Sequence, residues 1–465
     1  MSEFSRLRDI ILGIRHPIIV TIVIGIIINI LMMTLAFVYD TNYWAIVVKN
    51  IQMGEGLYGL DGYYYTPVWG YILGFVSMFD SFFFDIGGMG VRLMELLGYE
   101  NGNFMDFSAN VTSIGFMMSY KLIIMIFDMV LAYLMYWLVK DVTKDERKAQ
   151  LAFILIFLCP TIFASYTVLG MPDVVSATML TLSIVLLRRN HLMSAGACFA
   201  VAVLNKFFPA LVFFPIVTYA FSRGADKKEG AENVMKAFAG ALLMSTIIML
   251  PHLLDGNIMS AFSFLTDRAT VSSEEGILDY LISYSAVLVT LAAIAVSLFL
   301  GIRLMRDRSE GDEINRFMWY SLVSLAVMFI YPPNPQYTMS LFPFLVYCIV
   351  ILPKGLMGSW ISMSVGGFMQ SISALPTLLL PLAVFTGIMS VDAVMAATEM
   401  LCGNLPLTYM EVFAIVGNVI QYIGILSILY YTYTHRSFLK GPIHIDSVGC
   451  AIVDDADRPH TDESA

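Results

Sequence analysis

Residues 17–39 read PIIVTIVIGIIINILMMTLAFVY, an uncharged apolar run that sets the class of the whole chain. A helix needs about 20 apolar residues to cross the hydrocarbon core of a bilayer, and this run has that length. Arg6, Arg8 and Arg15 precede it. A basic flank before an apolar core also describes a secretory signal peptide. This core is too long for one, and it lacks a small-residue cleavage site. It reads as a retained first span, with residues 1–16 as a cytoplasmic N-terminus.

The rest of the chain is built the same way. It is 58% hydrophobic and 13% charged over 465 residues, with mean hydropathy +0.77. Soluble domains are about half apolar and about a quarter charged, so the composition excludes an ordinary soluble protein. Further apolar blocks lie near 114–139, 150–168, 173–187, 234–252, 278–302, 317–332, 338–353, 357–384 and 410–433. The expectation is an all-α polytopic membrane protein of about 10–12 transmembrane helices, spanning residues 17–434. The net charge is −10, with Asp454, Asp455, Asp457, Asp462 and Glu463 in the C-terminal tail. Residues 435–465 read as a solvated, disordered cytoplasmic tail. Nothing is basic enough to suit nucleic acid. Cys159, Cys198, Cys348, Cys402 and Cys450 have neither metal-ligand nor redox spacing and read as buried fillers. No Walker A, zinc or Ser-His-Asp pattern is present.

Charge sets the topology. Lys and Arg in short loops mark the cytoplasmic side. The clusters are Lys140, Lys144, Arg147 and Lys148; Arg188 and Arg189; Arg223, Lys227 and Lys228; Arg303, Arg306, Arg308 and Arg316; Lys354; and His435, Arg436 and Lys440. The segment 40–113 then lies outside. It carries Asp40, Glu55, Asp61, Asp80, Asp85, Glu95, Glu100 and Asp106 against only Lys49 and Arg92. Its apolar stretch at 67–84 reads as an interfacial or re-entrant helix, because a full crossing would put the Lys140 cluster outside. The stretch 192–221 reads as one long helix or as two short ones broken at Asn205-Lys206-Phe207-Phe208-Pro209. Two short helices keep both basic flanks inside and are preferred, since Pro209 biases the residue before it away from helix. Asn110-Val111-Thr112 fits a glycosylation acceptor on the outer side.

Several residues carry candidate chemistry. Asp40 stands where the first span meets the outer surface, where a partly desolvated carboxylate can act as a base. The plainer reading is a helix-end charge meeting water. Lys121 and Asp128 lie on one face of one span, two turns apart. Ionisable groups inside a bilayer are costly and mark function by default, although Lys121 can also snorkel outward. Asp173 opens a span after Pro172, where the helix dipole favours an acid. Lys206 lies in the helix break, able to meet an anion or to snorkel. Tyr58, Tyr63, Tyr64, Tyr65 and Trp69 crowd the outer loop as membrane anchors or as platforms for sugar rings. Arg268 is the strong cation of the outer loop 253–276 and a candidate phosphate partner. His252 nearby reads as a helix-end residue.

The order of these features along the chain is more specific than any one of them. Asp40, Gly54-x-Gly56-Leu57-Tyr58 and Tyr63-Tyr64-Tyr65-Thr66-Pro67 resemble the outer loop of polyprenyl-phosphate-sugar-dependent glycosyltransferases of the GT-C fold. The nearest likeness is to the mannosyltransferases that include the GPI first-mannose enzyme and the bacterial α-mannosyltransferases of family 87. Lys121-x6-Asp128 with Leu131 and Leu134 is similar to their second span. Pro160, Gly170 and Asp173, the break at Asn205 to Pro209, Asp267-Arg268 to Ser272, and Pro335-Gln336-Tyr337 complete the set. The resemblance covers residues 17 to about 350.

The resemblance implies a GT-C-like fold with interfacial helices in the long outer loop. It implies a sugar, mannose by the nearest likeness, on a polyprenyl (dolichyl) phosphate donor and a lipid-linked or glycan acceptor. The site would face the outer side of the cell membrane. Asp40 would be the base and Asp173 its support. Lys121, Asp128, Lys206, Arg268, Tyr64, Tyr65, Gln336 and Tyr337 would bind substrate. Some relatives carry two acids at the first helix exit. Here Val38 stands in the first place, which implies metal-independent chemistry and no cofactor. The rival from another class is a multi-span transporter or flippase of a polyprenyl-linked lipid, which also uses many spans and broken helices.

Overall fold

A computed structural model of the chain describes residues 16–58, 63, 65–83, 111–262, 277–306, 313–331, 334–352, 355–402 and 407–435. Tyr64, Arg268, Lys354, the basic residues before residue 16 and the acidic tail lie outside them. The described residues are helical and contain no strand. In chain order the helices are α1 (Pro17–Met32), α2 (Val38–Met53), α3 (Pro67–Phe83), α4 (Ile114–Thr143), α5 (Glu146–Phe157), α6 (Pro160–Thr167), α7 (Asp173–Arg188), α8 (Leu192–Asn205), α9 (Phe213–Ser222), α10 (Lys227–Leu254), α11 (Ile277–Arg306), α12 (Glu313–Met328), α13 (Phe342–Ile351), α14 (Met357–Ser371), α15 (Leu380–Thr386), α16 (Val391–Cys402) and α17 (Tyr409–Thr434).

Among the described residues five helical stretches are long and apolar enough to cross a membrane: Ile114–Thr143, Glu146–Thr167, Lys227–Leu254, Tyr284–Arg306 and Tyr409–Thr434. Large aliphatic side chains such as Leu242, Leu254, Leu288, Leu291, Val419 and Ile423 stand exposed on three of them. A soluble monomer does not leave apolar faces of that extent in water, so these faces belong against lipid.

α1 is arranged inside out. Its buried positions are Pro17, Thr21, Gly25 and Asn29, one helical turn apart. Ile19, Val23, Ile27 and Leu31 face outward. In lipid this is the economical arrangement: aliphatic groups lose nothing by facing hydrocarbon, while a polar group must find a protein partner.

Several apolar blocks that read as single spans are split. The block 150–168 divides at Leu158–Cys159, where Pro160 starts α6. The block 357–384 divides into α14, a 3-10 turn at Thr377–Leu379 and α15. The block 338–353 begins as a 3-10 turn, Pro335–Ser340, before α13. Proline lacks the amide hydrogen a helix interior needs, so these divisions fall at or beside prolines. Residues 192–221 form two short helices, α8 and α9, joined through Lys206, Phe207 and a 3-10 turn at Phe208–Val212.

Four of the basic loops converge on one end. Lys140 pairs with Glu146 at 2.8 Å, and Arg188 Nε meets Asp141 at 2.5 Å. Arg223 donates to the Arg188 carbonyl at 3.2 Å, and Ser222 donates to Glu313 at 2.9 Å. Arg189 lies over the Trp137 ring at 4.0 Å. From Arg188, α7 runs 16 residues back to Asp173, roughly 24 Å away. α8 returns 14 residues the same way to Lys206. Asp173 and Lys206 therefore share the end opposite the basic loops.

Candidate functional site

Three chain segments meet at that opposite end. Asp40 lies in the first turn of α2, where unpaired amide groups favour a carboxylate. Asp173 occupies the equivalent place in α7. The two segments are tied twice: the Phe37 amide donates to the Val168 carbonyl at 2.9 Å, and Trp44 Nε1 donates to the Gly170 carbonyl at 3.0 Å. Trp44 is four residues after Asp40, so both sit on one face of α2. Gly170 has φ +72, and a Cβ there would lie 2.5 Å from the Tyr120 hydroxyl. Backbone geometry and crowding both require glycine at this turn.

Lys206 is the third member. Its backbone is extended, φ −154 and ψ 137, which ends α8 and frees the side chain to turn inward. The adjacent Asn205 Nδ2 donates to the Pro172 carbonyl at 3.1 Å and to Ser176 Oγ at 2.8 Å. The break is thereby fixed to the start of α7. Lys206 Nζ lies 3.6 Å from Asp173 Oδ2. It also lies over the Tyr65 ring, 4.3 Å from its centre, and 5.3 Å from that of Tyr337. Tyr65 packs on Trp44 at 5.2 Å, and Tyr58 donates to its carbonyl at 2.8 Å. Thr66 Oγ1 donates to the Leu204 carbonyl and anchors this loop to α8.

The electrostatics follow from burial. Asp173 is 2% and Lys206 7% exposed, so their charges meet with little water between them. Asp40 lies beyond the first span. Burial pushes its carboxyl up to about 7, with the Lys206 ammonium drawing it down and the Asp173 carboxylate pushing it up. Asp173 Oδ1, Asn205 Oδ1 and Gln336 Oε1 are buried without a hydrogen-bond partner among the described residues. All three are acceptors. The site is thus rich in unused acceptors and holds one ammonium.

Asp40, Asp173, Lys206, Tyr65 and Tyr337 come together. The 3-10 turn that carries Gln336 packs against α7. Lys121 and Asp128 stand elsewhere. Lys121 Nζ donates to the Met33 carbonyl at 3.2 Å and the Leu35 carbonyl at 2.8 Å, closing the C-terminal end of α1. Asp128 Oδ2 lies 3.0 Å from the Tyr166 hydroxyl, which is 2.7 Å from Asn29 Oδ1. Asn29 Nδ2 donates to the Gly25 carbonyl at 2.8 Å. His252 Nε2 lies 3.0 Å from the Tyr71 hydroxyl, joining α10 to α3.

Trp44 and Asn205 position the site, and neither drew attention as a positioning residue. Both had a signal: Trp44 by its spacing from Asp40, Asn205 as a polar residue beside the break. Tyr166, the partner of Asp128, and Asn29, which shares the Tyr166 hydroxyl, were each legible as a polar group in an apolar run. Among the described residues no three His, Cys, Asp or Glu side chains form a group able to hold a metal ion. No protein-family model matches the chain, and no curated protein matches it either.

Proposed function

We propose that the protein is a membrane glycosyltransferase that moves a sugar, mannose by its resemblance, from a polyprenyl phosphate to a lipid-linked or glycan acceptor. The carrying observation is the convergence of Asp40, Asp173 and Lys206, with Tyr65 and Tyr337 against the ammonium. In this reading Asp40 takes the proton of the acceptor hydroxyl. The hydroxyl oxygen bonds to the anomeric carbon from the face opposite the leaving group. The bond from that carbon to the phosphate oxygen breaks, and the lipid phosphate leaves with inversion. A base with its carboxyl near 7 is matched to neutral pH. Lys206 balances the charge of the departing phosphate. The unused acceptors Asp173 Oδ1, Asn205 Oδ1 and Gln336 Oε1 suit sugar hydroxyls. Tyr65 and Tyr337 offer ring faces to the sugar. The charge rule puts the basic end in the cytoplasm and this site on the outer side.

The test is transfer of labelled mannose from polyprenyl-phosphate-mannose in purified membranes. Asp40→Asn is expected to lower transfer by about 10²–10⁴-fold with expression unchanged, the range of a general base. Equal transfer in both proteins would remove Asp40 from the base role. The second reading, a transporter or flippase of a polyprenyl-linked lipid, is favoured by the unwound break at Lys206 between two short helices. Movement of a labelled polyprenyl lipid across proteoliposomes, with no sugar transfer from any donor, would select it.

A further inference from the structure

The resemblance ends near residue 350, yet α14 and α17 reach the site from beyond it. Gly366 of α14 has no room for a side chain: a Cβ there would lie 2.5 Å from the Gln421 amide nitrogen of α17. That approach seats Gln421 inside the bundle, 1% exposed. A carboxamide in this position has to be satisfied by protein, because lipid offers it nothing. Its oxygen accepts from Gln370 Nε2 of α14 at 2.6 Å, and its Nε2 donates to Thr338 Oγ1 at 3.4 Å. Thr338 is buried in the 3-10 turn Pro335–Ser340.

Hydrogen counting fixes the direction of this chain. The Thr338 hydroxyl has one hydrogen, and it goes to the Pro335 carbonyl at 2.8 Å. Toward Gln421 the same oxygen can therefore only accept, so Gln421 presents its NH2 to the turn and its oxygen to Gln370. The donors run one way, from Gln370 to Gln421 to Thr338 to Pro335. Between Pro335 and Thr338 stand Gln336 and Tyr337. Gln336 Oε1 is one of the unused acceptors, and the Tyr337 ring lies 5.3 Å from Lys206 Nζ and 5.0 Å from the Phe208 ring. Hydrogen bonds within a 3-10 turn have poor geometry, so a donor from outside adds to what holds it. A plainer role for Gln370 and Gln421 is to join α14 to α17. That role explains the bond between them. It does not explain why the remaining NH2 of Gln421 meets the hydroxyl that closes the turn.

We infer, on the glycosyltransferase reading above, that Gln421 is a positioning residue for the sugar of the donor. It touches no substrate itself. By holding Thr338 it sets where the Gln336 carbonyl and the Tyr337 ring stand beside Lys206.

The experiment is the rate of labelled mannose transfer against donor concentration in purified membranes, with Tm measured on the same proteins. Gln421→Met keeps the volume and removes both bonds. Thr338→Val keeps the shape and removes the hydroxyl, while Thr338→Ser keeps the hydroxyl. Gln421→Met and Thr338→Val are each expected to raise KM for the donor about 3–10-fold, what roughly one hydrogen bond supplies. Thr338→Ser returns KM toward the wild-type value. The double variant Gln421→Met, Thr338→Val is no worse than either single one, as expected of residues that act through one contact. A Gln421 that only joins helices would lower Tm in Gln421→Met and leave KM unmoved, and that result in an active protein would overturn the inference. KM effects that multiply in the double variant would overturn it too. If Gln421→Met does not fold, the two variants at Thr338 decide, and equal KM values in them count against it. Wild type without transfer from any donor would instead remove the glycosyltransferase reading, and this inference with it.

Discussion

Asp40 lies between two opposite charges, and each neighbour gives its titration a direction that mutation removes. In the proposed reaction Asp40 acts only when ionised, so transfer is expected to fall below about pH 7 with the slope of one proton and to level above it. Lys206→Gln removes the charge that favours the ionised form, so the midpoint moves up. Asp173→Asn removes the charge that opposes it, so the midpoint moves down. Rate measured against pH in the three proteins checks both signs. The same shift makes the folded chain hold this proton more tightly than the unfolded one. Its contribution to stability therefore declines as pH rises from 3.8 to about 7. Asp128 obeys different arithmetic. The Tyr166 hydroxyl has one hydrogen and two oxygen neighbours, Asn29 Oδ1 and Asp128 Oδ2, while Asn29 Nδ2 is already given to Gly25. An uncharged donor at the Asp128 position would supply the second hydrogen. Asp128→Asn is then expected to fold within about 1 kcal/mol of wild type, because an amide can donate in the same place. Tyr166→Phe leaves two oxygens unpartnered and costs about 1–3 kcal/mol each, read as a lower Tm. Asp40, Asp173 and Lys206 were individually legible as ionisable groups at span ends or breaks. Their meeting was not, because it depends on the Trp44–Gly170 and Asn205–Pro172 bonds between distant segments.

Among the elements, α14 and α17 approach each other closely at glycines. A methyl at Gly366 would sit 2.5 Å from the Gly417 carbonyl oxygen, with the Gln421 amide equally near. Backbone cannot yield as a flexible side chain can. Gly366→Val is expected to cost about 1–3 kcal/mol or to part the two helices, measured as a fall in Tm and in the yield of monodisperse protein. Such packing by small residues replaces the hydrophobic force that lipid denies. The apolar blocks themselves were plain in the sequence. Where they break was plain only in part: Pro209 announced the break at Lys206, and the two short helices α8 and α9 stand on either side of it. The division beyond Ser371 was read through as a single span, because hydropathy averages over a window and does not register one missing amide hydrogen, whereas 150–168 stays within the one stretch Glu146–Thr167 despite its break at Leu158.

For the whole molecule, orientation is the quantity to measure. The basic loops were expected to share one face, and contacts of Arg188 with Asp141, Arg223 with Arg188 and Ser222 with Glu313 bring four of those loops together. In a chain with its own cysteines replaced, Glu55→Cys is expected to react with a membrane-impermeant thiol reagent on intact cells. Asn190→Cys is expected to react only after the membrane is opened. Both positions are exposed, so reversed labelling would mean that the chain lies the other way in the bilayer. The number of crossings was the least legible property. Among the described residues five helices satisfy length and composition, and several others are too short to cross alone.

The polar stripe of α1 has a consequence in time. Asn29 is made early, and its partner Tyr166 follows 137 residues later. At about 5–20 residues per second the ribosome takes roughly 7–27 s to cover that distance. For that interval the Asn29 side-chain oxygen lacks its donor, and lipid supplies none. Slowing or hastening elongation between the two residues should change how often the first helix is retained, without changing any contact in the finished protein.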